Sequence, residues 1–127
     1  MKTTFRKLRV LSVAILFIGF TQSCKNKNES AVKVFVRSAS NQLVEGAKVI
    51  IVGDVSSNPV TNAYVDTLIT NSSGFATFNV SPYYEAADKE QTVAYFDVIA
   101  KTETKTAEGS VRSRIHTTAV ETVFLPL

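Results

Sequence analysis

The sequence predicts an all-β fold, a single antiparallel β-sandwich of about seven strands in residues 31–127. Short runs in which apolar and polar residues alternate recur at intervals of about 8–12 residues, turn-forming residues separate them, and almost no helical periodicity is present. A segment of about 100 residues also buries enough surface for one core without disulfides. These observations together favour one small β domain.

The first two predicted strands are rich in valine. Residues 32–37 alternate, with the valines on one face and a lysine, a phenylalanine and an arginine on the other. Residues 38–42 are polar and small, which predicts a turn. Residues 47–52 are mostly β-branched and end at Gly53, so they predict the second strand.

The third and fourth predicted strands follow a loop. Residues 55–62 contain serines, an asparagine and Pro59, which predict that loop. Residues 64–70 predict the third strand and residues 75–80 the fourth. Between them, Gly74 can take the positive φ that a tight turn needs.

The strand pattern breaks once before it resumes. Residues 81–90 are polar and predict a long connection with room for one helical turn at residues 85–89. Residues 92–101 predict the fifth and longest strand. We expect its apolar face to be central to the core; this face consists of Ala94, Phe96, Val98 and Ala100. A polar loop over residues 102–109 precedes the last two predicted strands, residues 110–117 and 119–125.

Residues 1–23 predict an export signal. The first nine residues carry four cations and no acid, and residues 10–20 are an uncharged apolar run. As a helix, this run would rise about 16 Å, against a hydrocarbon core of about 30 Å, so it is too short to span a bilayer. Without residues 1–23, ten basic residues face eleven acidic ones. The near-neutral remainder argues against a nucleic-acid partner.

The chain has one cysteine, Cys24, and it directly follows the predicted export signal of residues 1–23. The preceding Thr-Gln-Ser resembles a relaxed lipobox of the kind found in Bacteroidota-type bacteria, with Ser23 as the small residue before the cysteine. This resemblance implies cleavage before Cys24 and acylation of its side chain, and several acyl chains on one residue make a stable anchor to a lipid bilayer. Thr21 and Gln22 depart from the usual lipobox and leave a soluble periplasmic product as the alternative.

Residues 24–30 combine the acylated cysteine with a polar segment that predicts a flexible tether. Because Lys25 stands where an aspartate would favour the inner membrane, resemblance to sorted lipoproteins implies the outer membrane. Glu29 is the only acidic residue in this segment, so the sequence does not decide between the periplasmic side and the cell surface.

Two motifs resemble carboxypeptidase-regulatory-like and transthyretin-like domains. They are Val-Glu-Gly-Ala-Lys-Val at residues 44–49 and Thr-Asn-Ser-Ser-Gly-Phe-Ala-Thr-Phe at residues 70–78. The resemblance covers about half of the domain and implies an immunoglobulin-like or transthyretin-like sandwich, with Gly46 and Gly74 in turns. Such domains commonly serve as adhesion, docking or stabilising modules, and the fold alone does not fix an activity.

Residue types that carry catalysis or bind metals are sparse. The single histidine, His116, falls in a predicted strand, and no catalytic set can be built around it. Transthyretin-like hydrolases end in Tyr-Arg-Gly-Ser, whereas this chain ends in Phe-Leu-Pro-Leu. Glu85, Asp88 and Glu90 suggest a calcium loop, but Lys89 lies among them, so a solvated loop is favoured. We expect no cofactor and no metal site.

Three other residues are candidates for binding or modification. Tyr83 and Tyr84 offer contact surface for a ligand, although adjacent residues of an extended segment point to opposite faces, so one ring is expected to pack in the core. Thr67 lies in an Asp-Thr-Leu sequence that resembles an O-glycosylation signal of Bacteroidota-type bacteria. A plain strand residue is the default interpretation of Thr67.

Together these features predict a cell-envelope lipoprotein whose sandwich is a non-enzymatic accessory or interaction module, with an envelope protein as its expected partner. The alternative is a lipoprotein that binds a small ligand or a glycan with the loop around Tyr83 and Tyr84. An enzyme is the third interpretation, which would depend on His116.

Overall fold

The computed structural model describes residues 28–88 and 90–127 and confirms an all-β sandwich of seven strands. The predicted signal peptide, Cys24 and residues 25–27 of the predicted tether lie outside the described residues. The elements are β1 (Ala31–Arg37), β2 (Lys48–Gly53), β3 (Val65–Ile69), β4 (Phe75–Asn79), α1 (Ser81–Ala86), β5 (Val93–Lys101), β6 (Thr106–Arg114) and β7 (Thr118–Phe124).

No helix in the described part of the chain is long and apolar enough to cross a membrane.

The strands form two sheets with the orders β4-β1-β7 and β3-β2-β5-β6. Every adjacent pair is antiparallel except β1 with β7, which run parallel. This pair joins the first strand to the last, so its direction depends on the path of the whole chain and not on any local sequence pattern. The predicted sandwich is therefore correct, with one parallel pair added.

The core lies between the inward faces of the two sheets. The predicted face of β5 is confirmed, because Ala94, Phe96, Val98 and Ala100 are all fully buried. Burial also explains the alternation in β1, because its three valines are fully buried in the core and the residues between them are not. Val49 and Ile51 of β2 complete the centre of the core.

Strand β6 begins four residues earlier than predicted, at Thr106. Its inward positions include Ala107 and Gly109, and a Cβ at Gly109 would lie 3.4 Å from Cγ2 of Val123 in β7. Small residues let β6 approach β7 closely where the two sheets meet. They also remove the apolar alternation by which a strand is recognised, so the sequence resembles a loop.

The glycines of the two motifs lie in turns, as predicted. Gly46 has φ 77° and Gly74 has φ 75°. Only at Gly74 is space also restricted, because an added Cβ would lie 2.9 Å from Cβ of Leu43.

Candidate functional site

The described end of the predicted tether, residues 28–30, is bound to the sandwich. Ser30 is 2% exposed, and its N–H donates to Oγ of Ser81 at 2.9 Å. Its carbonyl oxygen accepts the N–H of Val80 at 2.9 Å, and its Oγ accepts the N–H of His116 at 2.7 Å. Ser30 therefore joins α1 to the β6–β7 turn and is part of the folded domain.

His116 lies in the turn between β6 and β7, not in a strand as expected, and its φ is 60°. Its Nδ1 is 2.9 Å from the carbonyl oxygen of Asn28. Because a carbonyl can only accept, Nδ1 carries the hydrogen in this contact. The contact holds the entering chain against the turn.

A cleft of about 470 Å³ opens at this end of the sandwich. The entering chain, α1 and the β6–β7 turn form its walls, and the volume falls within the range of small-molecule sites. Glu29 and Glu85 supply carboxylates to the lining, while Pro82, Tyr84 and Ile115 supply apolar surface. A ligand rich in hydrogen-bond donors fits this lining better than an anion.

The acidic residues of the predicted solvated loop do not converge. Across residues 28–88 and 90–127, no three histidine, cysteine, aspartate or glutamate residues are placed to hold a metal ion. This includes Glu85, Asp88 and Glu90.

Tyr83 and Tyr84 lie on α1 and are both buried, at 4% and 6% exposure. The expectation of an extended segment is wrong here, because Pro82 stands in the first turn of a helix, where its missing N–H costs nothing. Adjacent helical residues are about 100° apart, so both rings can face the core. Tyr84 also lines the cleft, and Tyr83 does not.

The two phenol hydroxyls are engaged inside the protein. The Tyr84 hydroxyl donates to Oγ of Ser113 at 2.9 Å, and burial raises the pKa of Tyr84 above its ordinary value. The Tyr83 hydroxyl oxygen accepts two hydrogen bonds, one from the backbone N–H of Asn62 at 3.0 Å and one from the Nε2 amide group of Gln91 at 2.6 Å. The bond from Asn62 fastens the β2–β3 loop to α1, a role that the sequence did not indicate.

An aromatic surface that the sequence analysis missed covers the outer side of the three-stranded sheet. The Phe35 and Phe75 ring centroids are 5.4 Å apart, and Nζ of Lys33 lies 4.0 Å from the Phe75 centroid and 5.1 Å from that of Phe35. The register places Lys33 beside Val120, and Val120 and Phe124 are 56% and 55% exposed. We call these five residues the aromatic face. Its signal was present in β1, where Lys33 and Phe35 alternate with buried valines.

Thr67, the candidate glycosylation site, is exposed in β3. Its backbone N–H donates to Oδ1 of the preceding Asp66 at 2.8 Å. The position is accessible, and glycosylation there stays a prediction.

Comparisons with known proteins confirm the fold only. No family model matches the chain, and no curated protein matches it. Among solved structures, the Bacillus anthracis TIE protein is similar, with a TM-score of 0.51 and 10% sequence identity over 78% of this chain. The match spans 16% of that protein's chain, so it concerns a small part of a longer molecule. At this identity, the likeness shows that the chain has a β-sandwich fold.

Proposed function

We propose that the chain is a cell-envelope lipoprotein whose β-sandwich is a non-catalytic module that docks a protein partner on the aromatic face. The observation that carries the proposal is the exposure of Val120 and Phe124 on the same sheet face as Lys33, which is stacked on two aromatic rings and has Val120 beside it. Aromatic side chains are enriched at the centres of protein interfaces, whereas an outer sheet face is otherwise polar.

The chemistry of the aromatic face indicates the kind of partner. The rings of Phe35 and Phe75 and the side chains of Val120 and Phe124 favour an apolar patch on the partner. Lys33 adds a cation at the end of this face where Val120 lies, which favours an acidic group opposite. We therefore expect a protein surface in which a carboxylate lies beside an apolar patch.

The anchor belongs to the same proposal. Cys24 would hold the domain to a bilayer, with the outer membrane as the expected location, on its periplasmic or its outer side. The resemblance of the two motifs to carboxypeptidase-regulatory-like and transthyretin-like domains supports an accessory role, because those domains commonly dock or stabilise larger systems.

A photo-crosslinking amino acid at position 124 tests the docking site in cells, with position 108, on the outer side of the other sheet, as the control. We expect a discrete crosslinked partner from position 124 only. The purified partner should then bind the parent but bind V120S/F124S at least tenfold more weakly. V60S removes a similarly exposed valine from a loop and should bind as the parent does. Equal binding by all three proteins would refute the proposal.

The second candidate function is binding of a small ligand or a glycan in the cleft, which its volume and mixed lining favour. Because Tyr83 and Tyr84 are buried, replacing them would damage the fold, so the exposed Glu85 is the better site to test. Under this alternative, E85Q should weaken binding of a sugar or amine found by ligand screening. Unaltered binding by E85Q would exclude Glu85 from that site.

A further inference from the structure

Strand β3 has a free edge. Within residues 28–88 and 90–127, it pairs only with β2. The carbonyl of Tyr64 accepts the Gly53 N–H at 2.8 Å, and the Thr70 N–H donates to the Ala47 carbonyl at 2.9 Å, so the even-numbered residues of this segment turn their backbone groups toward β2. Strand geometry then directs the N–H and C=O groups of residues 65, 67 and 69 away from the sheet.

One of these six outward groups is engaged and five are open. The Thr67 N–H, at the centre of the edge, donates to the carboxylate of Asp66 at 2.8 Å. Among the described residues, the other five groups have no hydrogen-bond partner. A charged side chain on an edge strand is a recognised means of preventing pairing, so Asp66 caps the middle of the edge.

The side chains along this edge favour contact with another strand. Val65 and Ile69 are 68% and 66% exposed, and they share the outer face of the sheet with Thr67. Asp66 and Leu68 lie on the opposite side, where Asp66 pairs with Ile51 of β2. An open edge with exposed aliphatic side chains is a template for strand addition.

We propose that β3 binds an extended segment of a partner protein, which adds antiparallel to the free edge and carries a cation opposite Asp66. Residues of the segment opposite Val65 and Ile69 would be apolar, because they share the outer face. A lysine or arginine opposite Asp66 would draw the carboxylate from the Thr67 N–H and release that group for the new strand.

A second copy of β3 fits this edge poorly. Antiparallel pairing of β3 with itself, centred on Thr67, would place each Asp66 opposite a Leu68, which gives the carboxylate no cation and no donor. The segment that binds this edge therefore belongs to another protein, with apolar residues opposite Val65 and Ile69 and a basic residue opposite Asp66. This edge lies on the other sheet from the aromatic face, so the inference goes beyond the proposed function and can be tested separately from it.

A capped peptide that contains Val-Thr-Val-Lys-Val, with the lysine opposite Asp66, is the probe. It is added to the full chain in detergent micelles, after the mass has shown that Thr67 is unmodified, and amide hydrogen exchange is measured by NMR. We expect exchange at residues 65, 67 and 69 to slow by about tenfold or more at saturation, with no change at residues 66 and 68, whose N–H groups already face β2. Slowing at all five residues, or at none, would overturn the proposal.

Two variants separate strand addition from unspecific adhesion. T67P removes the outward N–H without removing a bond to β2, and edge strands tolerate proline, so peptide binding should be lost in a folded protein. D66N keeps the shape of the side chain and removes its charge. D66N should bind the peptide about two- to fivefold more weakly, and its preference for lysine over glutamate in the peptide should disappear. A lysine preference that persists in D66N would refute the role of Asp66.

Discussion

The buried hydroxyl of Tyr84 gives a first test at the level of single residues. In the described part of the chain, its only side-chain partner is Oγ of Ser113, and Ser113 is fully buried. Y84F would leave that oxygen without its donor, and we expect a loss of about 1–3 kcal/mol in the free energy of unfolding, measured in urea. Y95F, on the outer face of β5, should change stability by less than about 0.5 kcal/mol. Equal effects would show that the Tyr84 bond contributes nothing specific.

Tyr84 also leads us to expect that the protein loses stability at alkaline pH. Burial raises the pKa of Tyr84, and burial and then the charge of Asp66 raise that of Tyr64, from an ordinary value of 10.0. The folded protein therefore holds these protons more tightly than the unfolded chain. The contribution of the two tyrosines to stability is fully present below pH 10 and is lost as pH rises through their folded pKa values. Urea midpoints from about pH 8 to 11 should show this fall, and Y84F should show a smaller one.

Phe96 gives the corresponding test for strand β5. It is fully buried, and its ring packs against Tyr64 and Tyr83 at centroid distances of 5.8 and 5.5 Å. F96A should cost about 3–5 kcal/mol, a large part of the 5–15 kcal/mol typical of such a domain. Ile99, on the outer face of the same strand, is the control, and I99A should cost clearly less. Similar melting temperatures for both variants would contradict the packing seen here.

Elements with a strong alternating pattern could be predicted from the sequence, and those without one could not. Strands β1 and β5 have continuous buried faces and were placed within one residue at each end. Strand β6 was misplaced because Ala107 and Gly109 provide close approach between sheets and not apolar bulk. Helix α1 has only six residues, too few for a helical period, so the inward direction of both tyrosines could not be foreseen.

The candidate sites depend on contacts between distant parts of the chain, which explains why the sequence did not reveal them. The cleft forms where residues 28–30 meet the turn at His116, which is far away in the sequence. The aromatic face needs three strands in register, one of them the last. The alternation in β1 marks the outer position of Lys33 and Phe35, but no local pattern shows which residues of β4 and β7 lie beside them.

At the scale of the whole molecule, we predict that Cys24 becomes the first residue of the mature protein and carries lipid. The basis is the cationic start, the short apolar run and the position of the single cysteine. Expressed in a Gram-negative host, the protein should be recovered from detergent-solubilised membranes, with a mass that lacks residues 1–23 and includes acyl chains. C24S should leave an unlipidated precursor or a differently cut product. A parent protein recovered soluble and unlipidated would refute the prediction.

Lipidation at Cys24 would also fix which end of the sandwich faces the bilayer. Asn28, where the chain meets His116, is four positions after Cys24, so the cleft would lie within about 14 Å of the acylated residue. The far end of β1 is about 20 Å further away, next to the turn that contains Asn41. In vesicles with spin-labelled headgroups, we therefore expect stronger NMR broadening at His116 than at Asn41. Equal broadening at both ends would contradict this orientation, and C24S, without the anchor, should lose the difference.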